Sequence, residues 1–214
     1  MDKSIFGCPK PQIFSNFLRN NLEVEEKGIH LYSLISELIL SKPTPVYMPI
    51  YSTIEKTYSF KRVTFYSIRL ENETYTEIEK FIIRFLDDEK YVDELQNLLA
   101  LLKIMGNEKG AIPILFRDES EAQALPPERY HSIKQNLSHF VDTNLRLFCL
   151  RISSEIVILF NGGIKESQKT QDSPDLIAKF RFAQRACRAI NEKIKDKDLK
   201  INNLQLIGDF ELII

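Results

Sequence analysis

The chain has 214 residues, 43% of them hydrophobic and 28% charged, with a net charge of −1. That length suits one domain, or one domain plus an extension, and buries a core without disulfides or metal. The near-neutral charge excludes a global field drawing the chain to nucleic acid or membrane.

Three cysteines, Cys8, Cys149 and Cys187, form no CxxC pair. Neither a zinc ribbon nor a disulfide framework is readable from them, and reduced thiols in a reducing compartment fit best. The N-terminus, MDKSIFGCPKPQIF, lacks the apolar stretch of a signal peptide. No window reaches the roughly 20 apolar residues of a membrane span. The expectation is a cytoplasmic protein with no membrane contact.

In chain order, Leu31, Leu34, Ile35, Leu38 and Ile39 recur at helical spacing and predict a helix over Gly28 to Ser41. Pro43 and Pro45 then block helix continuation. Residues 1–50 are therefore read as an N-terminal helical extension and residues 51–214 as the main domain. The string TYSFKRVTFYSIRL, Thr57 to Leu70, predicts a strand. Thr74 or Thr76, with Glu77 or Glu79 three residues on, has the spacing of a capping box. Two helices follow, the first with Ile78, Phe81, Ile82, Phe85 and Leu86 on one face. The second starts near Glu89 and carries a Leu-rich stripe up to Met105, with Gly106 as its stop. Their short joint predicts an αα-hairpin. Ile112 to Phe116 predicts an extended segment, the residues to Pro127 a loop, and Tyr130 to Val141 a short helix.

Leu145 to Lys200 is the most strongly patterned region. Leu145 to Ile152 and Ile156 to Phe160 predict a hairpin turning at Ser153-Ser154-Glu155, with Asn161-Gly162-Gly163 ending the second strand. Ser173 as N-cap, Pro174 at the first helical position and Asp175 in the first turn open a helix. Its apolar stripe runs through Leu176, Phe180, Ala183, Cys187, Ile190 and Ile194. One or two terminal strands close the chain. Strands and helices are grouped, so the fold class is α+β with a mostly antiparallel sheet, an N-terminal two-helix hairpin and a C-terminal helix packed on it.

This region holds twelve basic and seven acidic residues, an excess of +5 in a chain of net −1. Lys179, Arg181, Arg185 and Arg188 run without an anion between them. A basic face of this kind can track a phosphate backbone, and it can equally be a solvated helix face. NGGIK lacks the spacing of a phosphate loop, which rejects a nucleotide triphosphate site. His30, His131 and His139 have no ligand spacing, so no metal and no cofactor is expected. Cys149 and Cys187 sit on apolar patterns and read as core.

The order strand, two-helix hairpin, three antiparallel strands and helix resembles the RelE/HigB superfamily of bacterial toxins, in particular its phage-derived branch. The residues that carry the resemblance are IVILFNGGIKESQKTQDSPDLIAKFRFAQRA, Ile156 to Ala186. Lys165, Gln168, Lys169, Thr170, Pro174, Ala183 and Arg185 fall where that pattern has them, and Arg146 and Arg151 resemble the arginines that such toxins carry on central strands. The chain is also similar to a group of proteins of gut-type bacteria sharing the string RLFCLR…IVILFNGGIK.

The resemblance implies a metal-independent endoribonuclease acting on messenger RNA at the ribosome and neutralised by an antitoxin partner. It implies catalytic roles for Arg117, Arg146, Arg151, Lys165 and His131, with Tyr130 as an alternative proton-transfer group. RNA contacts fall to Lys169, Lys179, Arg181, Arg185 and Arg188. The alternative is a non-catalytic protein-interaction module of the same fold. A third reading, a small-molecule enzyme around Cys149, has no triad or glycine-rich signature behind it. The discriminator is geometric: whether Arg117, Arg146, Arg151 and Lys165 line one concave face.

Overall fold

A hairpin of two strands begins the folded part of the chain, β1 (Tyr51–Ser59) and β2 (Thr64–Leu70). The computed structural model describes residues 49–127, 143–166 and 173–214, all within the compact unit Pro49–Ile214. The helices predicted over Gly28 to Ser41 and Tyr130 to Val141 lie outside the described residues, and so do His131, Tyr130 and Lys169.

The string read as one strand, Thr57 to Leu70, is in fact the end of β1, a turn and β2. Phe60 N–H donates to Val63 O at 3.0 Å, and Arg62 N–H to Gly106 O at 2.8 Å. Lys61 and Arg62 are not turn-forming residues, so an unbroken run of strand formers hides the reversal. Two helices follow, α1 (Glu77–Leu86) and α2 (Val92–Ile104). Thr76 and Glu79 form the reciprocal capping box that the spacing predicts.

Ile112 to Phe116 is not extended: Pro113–Leu115 makes one 3-10 turn, Pro113 taking the first helical position. The predicted loop beyond it contains a hairpin, β3 (Arg117–Glu119) and β4 (Ala122–Leu125). Ser120 turns it at φ 64°. The next hairpin, β5 (Leu145–Arg151) and β6 (Ile156–Ile164), matches the prediction up to Phe160. Ser153 Oγ accepts from Glu155 N–H and Ile156 N–H, each at 3.1 Å, and fixes the turn.

The Gly-Gly turn predicted after Phe160 is corrected by the structure: Asn161, Gly162 and Gly163 continue β6. A β-bulge at Phe160–Asn161, opposite Phe148, shifts the register. A Cβ at Gly162 would stand 1.9 Å from the Arg146 carbonyl oxygen, so only glycine lets β5 and β6 approach there.

Helix α3 (Pro174–Lys195) follows, with Ser173 and Pro174 where the sequence puts them. The Ser173 hydroxyl accepts from Glu166 N–H at 3.1 Å and not from the helix. Three short strands close the chain, β7 (Leu199–Asn202), β8 (Gln205–Gly208) and β9 (Glu211–Ile213).

The protein is α+β, with three α-helices and a mostly antiparallel sheet among the described residues. Seven strands run in the order β3-β4-β5-β6-β2-β1-β9, and β7-β8 forms a separate ribbon. Among the described strands only β2 and β6, at the centre, pair in parallel. On one side of the sheet, Leu145, Leu147, Cys149, Val157 and Leu159 pack beneath Phe81 and Phe85 of α1 and Leu95 and Leu98 of α2. On the other, Phe148, Ile156, Ile158 and Phe160 pack beneath Leu176, Ala183, Cys187 and Ile190 of α3. Each large aliphatic side chain buried in these layers contributes about 1.5–3 kcal/mol.

Candidate functional site

Side chains alternate across a strand, and that decides where the β5 arginines go. Leu145, Leu147 and Cys149 face the helix hairpin, and Arg151 shares their parity. Its Nε donates to Ala111 O, inside the hairpin-side core. Phe148 and Leu150 face α3, and Arg146 shares theirs. Arg146 is buried, and its Nη1 donates to Thr143 O and, at 2.8 Å, to Leu145 O. The two arginines therefore lie on opposite faces of the sheet.

Arg117 opposes Ala124, which opposes Phe148, so Arg117 lies on the α3 side and is only 8% exposed. Lys165 follows β6, half-exposed, with its N–H donating to Asn144 O at 2.7 Å. Of the four residues meant to line one concave face, Arg117 and Arg146 share a side that α3 covers, Arg151 is on the other, and Lys165 is at a strand end. His131 and Lys169 lie outside the described residues.

The helix cations are also divided. Arg181 and Arg188 are exposed and Arg185 half-buried. Arg188 Nε donates to Gln184 O in its own helix at 3.3 Å. Lys179 is committed elsewhere: it meets Asp175 at 2.9 Å, where Arg84 of α1 also arrives at 2.8 Å. The second oxygen of Asp175 accepts from Ile164 N–H at 2.8 Å. Burial pushes the Asp175 carboxyl upward, but the hydrogen bonds from Arg84, Lys179 and Ile164 outweigh it and hold the pKa at about 2. This node ties α1, β6 and α3 together, and sequence reading had given Asp175 only a helix-dipole role.

Gln184 makes a second tie. Its Oε1 accepts from Glu121 N–H at 2.8 Å, and its Nε2 donates to Glu119 O, so one amide clamps the β3–β4 turn to α3. The two thiols are core groups. Burial pushes Cys187 up to about 12 and Cys149 well above its ordinary value. Among the described residues no group of three or more His, Cys, Asp or Glu is placed to hold a metal ion, and no helix is long and apolar enough to cross a membrane.

A cleft of about 610 Å³ lies where β1, the end of β2 and β9 meet the last turns of α3. None of the residues expected from the sequence lines it. Its cations are already engaged, Arg69 by Glu55 at 2.6 Å and Lys193 by Asp209. The Lys193 hydrogen bond, with that of Glu211 N–H, lowers the Asp209 pKa. Glu71, Glu192, Asp196 and Glu211 then leave the cleft acidic. The signal that could have pointed to it is faint in sequence, because its walls come from segments more than a hundred residues apart. No protein-family model, no curated protein and no solved structure matches this chain.

Proposed function

We propose that the chain is a non-catalytic protein-interaction module. The observation that carries this reading is the parting of the arginines. The metal-independent nuclease that the resemblance implies would set basic side chains around one phosphate in an open site. Here Arg146 and Arg117 are buried on the α3 side, Arg151 serves the Ala111 carbonyl on the other, and Lys179 is neutralised by Asp175. These cations hold backbone and layers together.

A second reading, the ribosome-dependent mRNA endoribonuclease neutralised by an antitoxin, draws support from the order of elements. With β1 and β3 additional to it, the series β2, α1, α2, β4, β5, β6 and α3 is similar to the order that the toxin resemblance implies, and Arg181 and Arg188 are exposed to solvent.

The test is expression of the full chain in a bacterial host, with primer-extension mapping of messenger RNA. The interaction-module reading expects undisturbed growth and uncut messages. Growth arrest that Arg146→Ala or Lys165→Ala relieves, in variants that still fold, would establish the nuclease instead.

A further inference from the structure

We propose that the outer edge of β9 takes an extended basic peptide as an added strand. The proposal rests on the interaction-module reading and names its class of partner. Ile50 and Ile214 exchange both backbone hydrogen bonds, and Ile54 N–H donates to Phe210 O at 2.8 Å. In an antiparallel pair the bonded residues alternate. Ile214, Leu212 and Phe210 therefore turn their backbone toward β1, and Glu211 and Ile213 turn theirs outward. The Glu211 N–H is taken by Asp209 Oδ1 at 3.0 Å. The Glu211 carbonyl and the Ile213 N–H and carbonyl have no hydrogen-bond partner among the described residues.

Proteins usually guard such an edge with a proline, a lysine or a bulge. Strand β9 (Glu-Leu-Ile) has none of these; its guards are its three-residue length and Glu211, a charge that repels an acidic strand and not a basic one. Strand addition at an open edge draws affinity from the main chain and specificity from alternate side chains. Ile213, 63% exposed, and its cross-strand partner Tyr51, 52% exposed, give the cleft at this edge an apolar lip. The same cleft carries Glu192 and Asp196 of α3, which have no cation partner among the described residues. A strand with lysine or arginine against these carboxylates and Glu211, and apolar residues against Ile213, matches that lining. The engaged state of Arg69 and Lys193 leaves nothing in the cleft to attract an acidic strand.

Fluorescence anisotropy of the full chain with a labelled peptide of alternating Lys and Val tests this, with alternating Glu and Val as the comparison. The Lys peptide should bind, more weakly as salt rises, and the Glu peptide should bind at least about tenfold more weakly. Ile213→Pro removes an outward N–H and no bond to β1, and should weaken the Lys peptide by about tenfold. The pair Glu192→Lys and Asp196→Lys, both at exposed positions, gives an independent loss without touching the edge. Equal binding of the two peptides, no binding of either, or full affinity in both sets of variants overturns the proposal. Failed peptide binding with uncut messenger RNA removes the β9 edge alone, whereas RNA cleavage relieved by Arg146→Ala removes the interaction-module reading.

Discussion

Gly163 faces the carboxylate of Asp175 so closely that a Cβ at the glycine would stand 2.2 Å from Oδ2. That absence of a side chain lets Asp175 reach the Ile164 N–H while it holds Arg84 and Lys179. One carboxylate thereby joins both helical layers to the last residue of the central strand β6.

Alanine at either strand glycine should be destabilising, and unequally so. Gly163→Ala displaces a side chain held by three donors and should lower the unfolding free energy by about 1–3 kcal/mol. Gly162→Ala meets the Arg146 carbonyl oxygen and other backbone atoms of β5, which cannot rotate away, so its effect should be the larger. Urea unfolding of both variants checks the order. Equal and small effects would show that the two strands separate readily.

Asp175 should make stability depend on acid. Its folded pKa, about 2, lies below the ordinary aspartate value of 3.8. A carboxylate with a depressed folded pKa stabilises above its unfolded value and loses that contribution as pH falls through the folded one. The window runs from about pH 4 down to about pH 2. The side chain is a quarter exposed, and with solvent screening the contribution is about 1 kcal/mol. Asp175→Asn should flatten the thermal-unfolding midpoint across that window relative to the parent chain.

The arginines should separate by burial. Arg146→Ala removes the guanidinium donor from the Thr143 and Leu145 carbonyls and should lower stability by about 1–3 kcal/mol. Arg151→Ala, which frees Ala111 O, should cost about 1 kcal/mol. Arg181→Ala, at an exposed site on α3, should stay within about 0.5 kcal/mol. Calorimetry of the three variants decides it, and an unchanged midpoint for Arg146→Ala would release that residue for a role other than structure.

Cys149 and Cys187 should resist alkylation in the native chain. Burial raises both thiols, so little thiolate exists near neutral pH. Iodoacetamide followed by peptide mass mapping should find both unmodified until denaturant is added. Native labelling of Cys187 would mean that α3 lifts from the sheet, and native labelling of Cys149 that the α1–α2 hairpin does.

Much of the fold is legible in the residues. The Thr76 and Glu79 capping box, the Ser153 turn, Pro174 at the start of α3 and the apolar stripes of α1 and α3 are local devices, and local devices act within a few residues of sequence. Even the parting of Arg146 and Arg151 is there: five residues apart in one strand, an odd separation, they must face opposite ways. What the residues could not reveal is what depends on distant neighbours. Lys61 and Arg62 make a turn because Val63 and Gly106 bind its backbone. Gly162 and Gly163 belong to a strand because β5 and Asp175 come too close for a side chain. The cleft and the place of β9 at the end of the sheet among the described strands exist because β9 pairs with β1, about 160 residues away, and that pairing is settled by tertiary packing, which no local pattern encodes.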